Sequence, residues 1–233
     1  MCIRDSLELH TMFTFMVNVM KFEDPWPHIV EDNFLEPEMY EFLFSLIKYD
    51  KNQYKTIWSA EKHKKDYFEK PGCKTRYESY NYFTGEIYSV YSKYSIPFSE
   101  EIMDVLCYVQ DKLFEHLTVL NPKRLENVET IMLHIQTLQS QKYEGTTNGF
   151  HTDPPTRLLT SIVYTDEYNH GTFLSNTKES NLEYHPFHEV VPEQNRALIF
   201  CSEENKTWHA YVSNSKKPRT TFNFSLKGKP DGN

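Results

Sequence analysis

The stretch that decides the fold runs from His151 to Glu167 and reads HTDPPTRLLTSIVYTDE. It opens on the only His-x-Asp in the chain and leads into a strand candidate over 158–165. In extended backbone, residues i and i+2 point to the same side, so the His151 imidazole and the Asp153 carboxylate can meet one metal ion. Chance alone gives roughly 0.4 such pairs in a chain of this composition, and a turn flanking Pro154-Pro155 explains the same residues. The residues further along separate the two readings.

Downstream, a third ligand is available at His209, on a strand candidate over 207–212. Two His and one carboxylate form the facial triad of non-haem Fe(II) oxygenases, which leaves adjacent positions open for a chelating 2-oxo acid and O2. Arg219 follows ten residues after His209, across a turn at 215–218. Its planar, permanent charge suits bidentate capture of a carboxylate. Thr221 shares the Arg219 face of the strand 219–227, and Asn223 and Ser225 continue it. Phe222, Phe224 and Leu226 alternate onto the packing face. Further strand candidates lie at 128–139, 171–175, 187–191 and 197–201, separated by Gly, Asn and Pro turns. Short strands with that punctuation point to a jelly-roll, cupin-like core over about 128–227, with α+β or mainly β character.

Upstream, the texture is helical. His28 to Val30 is a short strand candidate, Pro37 suits a helix start, and Met39, Phe42, Leu43, Leu46 and Ile47 recur at helical spacing. Ser99 is a good N-cap before Glu100 and Glu101, and Ile102, Leu106, Val109, Leu113 and Leu117 form one apolar stripe. Residues 51–98 lack a clean period and read as loops and short strands at the mouth of a site. No repeat or linker divides the chain, so 21–228 reads as a single domain, helical over about 21–120, with its helices packed on one sheet. Residues 1–6, Met1-Cys2-Ile3-Arg4-Asp5-Ser6, read as the translated end of a sequencing adaptor, which implies a metagenomic source. On that reading the natural start is Met12, Met16, Met20 or a residue further upstream.

The 233 residues are 39% hydrophobic and 15% aromatic, which excludes a disordered chain. A net charge of −8 argues against a nucleic-acid partner, because such binding draws on a basic surface. No apolar run is long enough to span a bilayer. The cysteines, Cys2, Cys73, Cys107 and Cys201, show no ligand or disulfide spacing, so free thiols in the cytoplasm are expected.

Taken together these tracts resemble the Fe(II)/2-oxoglutarate dioxygenase superfamily, most closely its prolyl 4-hydroxylase-like branch. PWPHIVEDNFL (25–35) looks like the entry strand and helix of that branch, and HTDPPTRLLTSIVYTDE like its first ligand strand and next core strand. Gly171-Thr172-Phe173-Leu174 is similar to its Gly-rich hairpin, and residues 190–226 to its closing strands. The resemblance implies that His151, Asp153 and His209 hold Fe(II), that Arg219 binds the far carboxylate of 2-oxoglutarate, and that Thr221 assists. It implies consumption of O2, release of succinate and CO2, ascorbate as an accessory reductant, and hydroxylation of a small-molecule or peptidyl amino-acid side chain, prolyl first. Tyr143, Arg157 and Tyr164 are pocket residues by the same resemblance. Asn195 stands where the family often has Gly, a mild change because Asn tolerates a left-handed backbone.

Other readings stay open. A small-metabolite oxidase or a nucleic-acid oxidase can use the same scaffold, though Ser225 stands where the alkylated-DNA repair enzymes carry a second Arg. A jumonji-type demethylase commonly has Lys at the Arg219 position. A cupin-like binding module without turnover is the reading from a different class. His185 and His188 read as loop histidines, His134 and Gln136 as packing or solvent-facing residues, Trp208 as core, and Cys201 as a small buried residue. The sequence does not fix the oligomeric state.

Overall fold

The computed structural model describes residues 19–47, 75–81, 86–94, 100–140, 147–167, 171–178, 188–212 and 219–230. The expectations for residues 1–6, Met12, Met16, Cys2, Cys73, Ser99, Tyr143 and His185 lie outside these residues. The strands are β1 Val19–Phe22, β2 His28–Glu31, β3 Thr75–Asn81, β4 Glu86–Tyr94, β5 Val128–Ser140, β6 Thr147–His151, β7 Arg157–Tyr164, β8 Thr172–Ser175, β9 His188–Val190, β10 Ala197–Phe200, β11 Trp208–Val212 and β12 Arg219–Gly228. Helix α1 spans Pro37–Ser45 and α2 spans Glu100–Leu120.

These strands form an eight-stranded antiparallel sheet, β1-β2-β10-β7-β12-β5-β4-β3, and a four-stranded one, β6-β11-β8-β9. The pairings follow one rule. β8 and β9 form the tip of a ribbon whose arms pair as β7 with β10, β6 with β11, and β5 with β12. Successive turns then pair sideways, β7 with β12 and β8 with β11. A ribbon wound in this way is a double-stranded β-helix, the jelly-roll core expected from the turn pattern.

The core lies where helices cover the large sheet. On β12, Phe222, Phe224 and Leu226 are fully buried on that side. Helix α2 meets them with Ile102, Val105, Val109, Leu113 and Leu117. Truncating such a side chain to Ala costs about 2–5 kcal/mol. The expected stripe included Leu106, which is only partly buried; Val105 and His116 complete the buried face. His116 belongs there because its Nε2 lies 2.6 Å from the buried Glu31 carboxylate, which Lys112 also pairs. That cluster ties α2 to β2.

The structure departs from the sequence reading in the N-terminal half. Strand β2 lies where 28–30 was expected and β3 and β4 lie within 51–98, where short strands were expected; β1, over Val19–Phe22, was not anticipated. β3 and β4 extend the large sheet beyond β5 and, at seven and nine residues, are not short. β6 went unread because Asn148-Gly149 looks like a turn; pairing with β11 overrides that local preference.

Asn195 has φ of 61°. Its Oδ1 accepts from the Leu35 N–H at 3.0 Å and its Nδ2 donates to the Leu35 carbonyl at 2.8 Å. The chain entering α1 is thereby fixed to the turn before β10. Asn195→Ala loses both bonds and strains the left-handed backbone, so it should destabilise by about 3 kcal/mol in denaturant unfolding. Asn195→Gly should lose about 1 kcal/mol less, because glycine accepts this φ. Equal losses would show that the backbone term is absent.

Candidate metal centre and anion pocket

His151 closes β6 and His209 sits directly opposite it on β11. Their ring centroids are 4.3 Å apart, close enough for both imidazoles to face one ion. Asp153 lies two residues past the strand end and turns in beside them. The candidate ligand atoms of all three lie within 4.8 Å of one another, the one such group of His, Cys, Asp and Glu among the described residues.

The ligand candidates His209 and Asp153 are held by hydrogen bonds. The Nδ1 of His209 is 3.1 Å from the Thr207 carbonyl. A carbonyl only accepts, so Nδ1 carries the proton and Nε2 presents a bare lone pair. Burial and then the neighbouring His151 push the His209 pKa down to about 4, which keeps the ring neutral and able to coordinate. Burial alone would raise Asp153. The imidazoles, the Arg157 guanidinium and a hydrogen bond from Thr160 outweigh it, so the carboxyl lies below its usual range. Arg157 Nη1 reaches Asp153 Oδ1 at 2.6 Å, and Thr160 Oγ1 reaches Oδ2 at 2.8 Å.

The three residues line a cavity of about 220 Å3 whose other side holds Arg219, Thr221 and Asn223. Alternation along β12 brings these three to the same wall. Arg219 is only 7% exposed. Its guanidinium lies 4.2 Å from the Tyr211 ring centroid and 5.3 Å from that of Tyr164. Nη2 donates to Thr172 Oγ1 at 3.0 Å, while the buried Nε has no partner. No carboxylate pairs with Arg219 among the described residues. A buried, uncompensated cation is costly unless an anion joins it.

Thr172 sharpens that point. Its Oγ1 accepts from Arg219 and from the Tyr164 hydroxyl at 2.9 Å, so only its own hydrogen remains to be offered. Burial raises the Tyr164 pKa despite Arg219, and the phenol stays a donor. The cavity wall holds one carboxylate, Asp153, against two guanidinium groups, before any metal charge is added. The donor set suits a divalent transition metal, and the opposite wall suits a carboxylate.

Of the residues named from sequence, the cavity brings together His151, Asp153, His209, Arg219, Thr221 and Arg157. Tyr164 stands behind Arg219. Cys201 is buried in the core, and His188 lies on β9, away from the cavity. Trp208 is partly exposed beneath Lys178. The side chains of His134 and Gln136 lie outside the described residues. Sequence reasoning missed Thr160, Thr172 and Tyr211. Tyr211 was within reach, since it stands two residues beyond His209 on one strand. Thr172 was not, because only strand register sets it opposite Tyr211.

No family model matches the chain, and no curated protein does. Among solved structures it is similar to a Pseudomonas putida prolyl-4-hydroxylase, at 14% identity over 86% of this chain and 91% of that one, TM-score 0.49. It is similar to a viral collagen prolyl hydroxylase from Paramecium bursaria Chlorella virus-1, in complex with 2-oxoglutarate, at 14% identity over 87% and 96%, TM-score 0.46. A Trichoplax adhaerens prolyl hydroxylase, in complex with a hypoxia-inducible-factor peptide, gives 11% identity over 85% and 82%, TM-score 0.49.

In the metal-free protein, the His209 ring should stay neutral until the pH nears 4 in an NMR titration. The sign for stability follows. The unfolded chain protonates His209 first, so its contribution is complete above about pH 6.5 and is lost as the pH falls towards 4. A His209 midpoint near 6.5 would remove the buried, proton-poor setting described above.

Proposed function

We propose that this chain is an Fe(II)- and 2-oxoglutarate-dependent oxygenase that hydroxylates an amino-acid or peptidyl side chain, prolyl first. The observation that carries the reading is one cavity with a His-Asp-His cluster on one wall and, on the other, a buried Arg219 that no carboxylate pairs among the described residues.

His151, Asp153 and His209 would hold Fe(II), two neutral imidazoles and one carboxylate on one face of the ion. When bound, iron and 2-oxoglutarate supply an O2-dependent oxidation coupled to loss of CO2 and formation of succinate. Arg219 would take the far carboxylate of 2-oxoglutarate, with Thr172 donating beside it and Thr221 on the adjoining position of β12. The rings of Tyr164 and Tyr211 keep water from Arg219, which strengthens its pull on an anion. Ascorbate as reductant, the prolyl preference and residues 21–228 as a single domain belong to the same proposal and draw on the motif resemblance. A cytoplasmic setting belongs to the same proposal and draws on the cysteine spacing of the sequence. No helix among the described residues is long and apolar enough to cross a membrane.

Without oxygen, Fe(II) and 2-oxoglutarate should give the visible charge-transfer band of a chelated 2-oxo acid, and His209→Ala should abolish it. Folded protein that shows no band with saturating reagents moves the binding-module reading to the front. Arg219→Ala should weaken 2-oxoglutarate binding by roughly 100-fold or more while Fe(II) affinity changes little. An unchanged 2-oxoglutarate affinity would remove Arg219 from its role.

A further inference from the structure

The two oxygens of Asp153 are hydrogen-bonded in different ways. Oδ1 accepts from Arg157, whose side chain is 22% exposed and borders the cavity. Oδ2 accepts from Thr160, which is 3% exposed and fixed on β7. Thr160 Oγ1 also lies 3.3 Å from Ser202 Oγ. Because the Thr160 hydrogen goes to the carboxylate, Ser202 must be the donor in the second bond. Ser202 is itself buried, and its carbonyl accepts from Arg124 Nη1 at 2.9 Å. The same Arg124 nitrogen donates to the Leu158 carbonyl at 3.1 Å. A chain of buried bonds therefore runs from the short 3-10 helix Pro122–Asn127, through Ser202 and Thr160, to one oxygen of Asp153.

We infer that Thr160 is a positioning residue that reserves Oδ2 and confines Asp153 to ligation through Oδ1 alone. The inference rests on the metal-centre reading above. A carboxylate bound through one oxygen fills one coordination position. With two imidazoles, three adjacent positions stay open, as many as a chelating 2-oxo acid and O2 together require. A carboxylate free to turn would bring its second oxygen to the ion and close one of them. Arg157 does not reach Oδ2: its bond is to Oδ1, from a side chain that is 22% exposed. Thr160 would touch no reacting atom; it acts through Asp153.

The test is an anaerobic Fe(II) titration of the whole chain, first without and then with 2-oxoglutarate. Thr160→Val keeps the shape and removes the donor. It should weaken Fe(II) binding roughly 10- to 100-fold, as loss of a supporting bond to a ligand does. It should also lower 2-oxoglutarate affinity at saturating iron, because the freed oxygen competes for a coordination position. Thr160→Ser restores the donor and should return both affinities to within about threefold of wild type, an outcome that a purely structural role for the methyl group does not give. Should Thr160→Val not fold, Ser202→Ala carries the test by withdrawing the bond behind Thr160; unchanged affinities there overturn the inference. Wild-type iron binding with an indifferent Thr160→Val, or failure of Thr160→Ser to rescue, overturns this inference alone. Absence of Fe(II) binding by the wild-type chain would instead overturn the metal-centre reading, and this inference with it.

Discussion

Strand β12 is paired along both edges, with β5 on one side and β7 on the other. Everything else in the core depends on that double pairing. A slip of one residue would turn Phe222 and Phe224 into the cavity and Arg219 and Thr221 towards the helices, because side chains alternate with a period of two. Both neighbours oppose such a slip. The apolar face is sealed by α2, and the polar face is thereby forced inward. The wall of the cavity that carries Arg219, Thr221 and Asn223 follows from the way the chain builds its core.

The wall with the candidate metal ligands arises from the opposite sheet by a different route. His151 and His209 meet because their strands pair, and Asp153 joins them because the chain leaves β6 just before Pro154. Two buried supports and one part-exposed support hold the ligand candidates: the Thr207 carbonyl for His209, Thr160 for Asp153, and Arg157, part-exposed, also for Asp153. Where a bond is buried, as that of Thr160 to Asp153 is, it counts for more than it would at the surface. Among the described residues no carboxylate balances the buried Arg219, which leaves its charge facing the cavity.

What the sequence made legible was local. His-x-Asp, the alternation from Arg219 to Leu226, the proline at the start of α1 and the apolar stripe of α2 all follow from a period or a spacing within one element. What stayed hidden depended on register between elements. The segment Thr147–His151 carries turn chemistry and becomes a strand only because β11 lies beside it. Thr172 reaches Arg219 only through the pairing of β8 with β11. Thr160 looks like any β-branched strand residue until β7 is placed beside the loop of Asp153. Residues 75–94 had no clean period, because their strand character comes from joining the edge offered by β5.

The double-stranded winding also has a consequence for how the molecule is made. Val128, at the start of β5, rests beside Gly228, near the end of β12, and every turn of the ribbon between them is closed by a pairing distant in sequence. Contacts of that kind are slow to form, since the chain entropy of a long loop is lost before any pairing offsets it. During synthesis, the helices and the first strands emerge with their apolar faces uncovered. They must wait for the segment that carries Arg219 before the large sheet can close. The large sheet and the Arg219 wall of the cavity thus share one strand, and both need β12 in place.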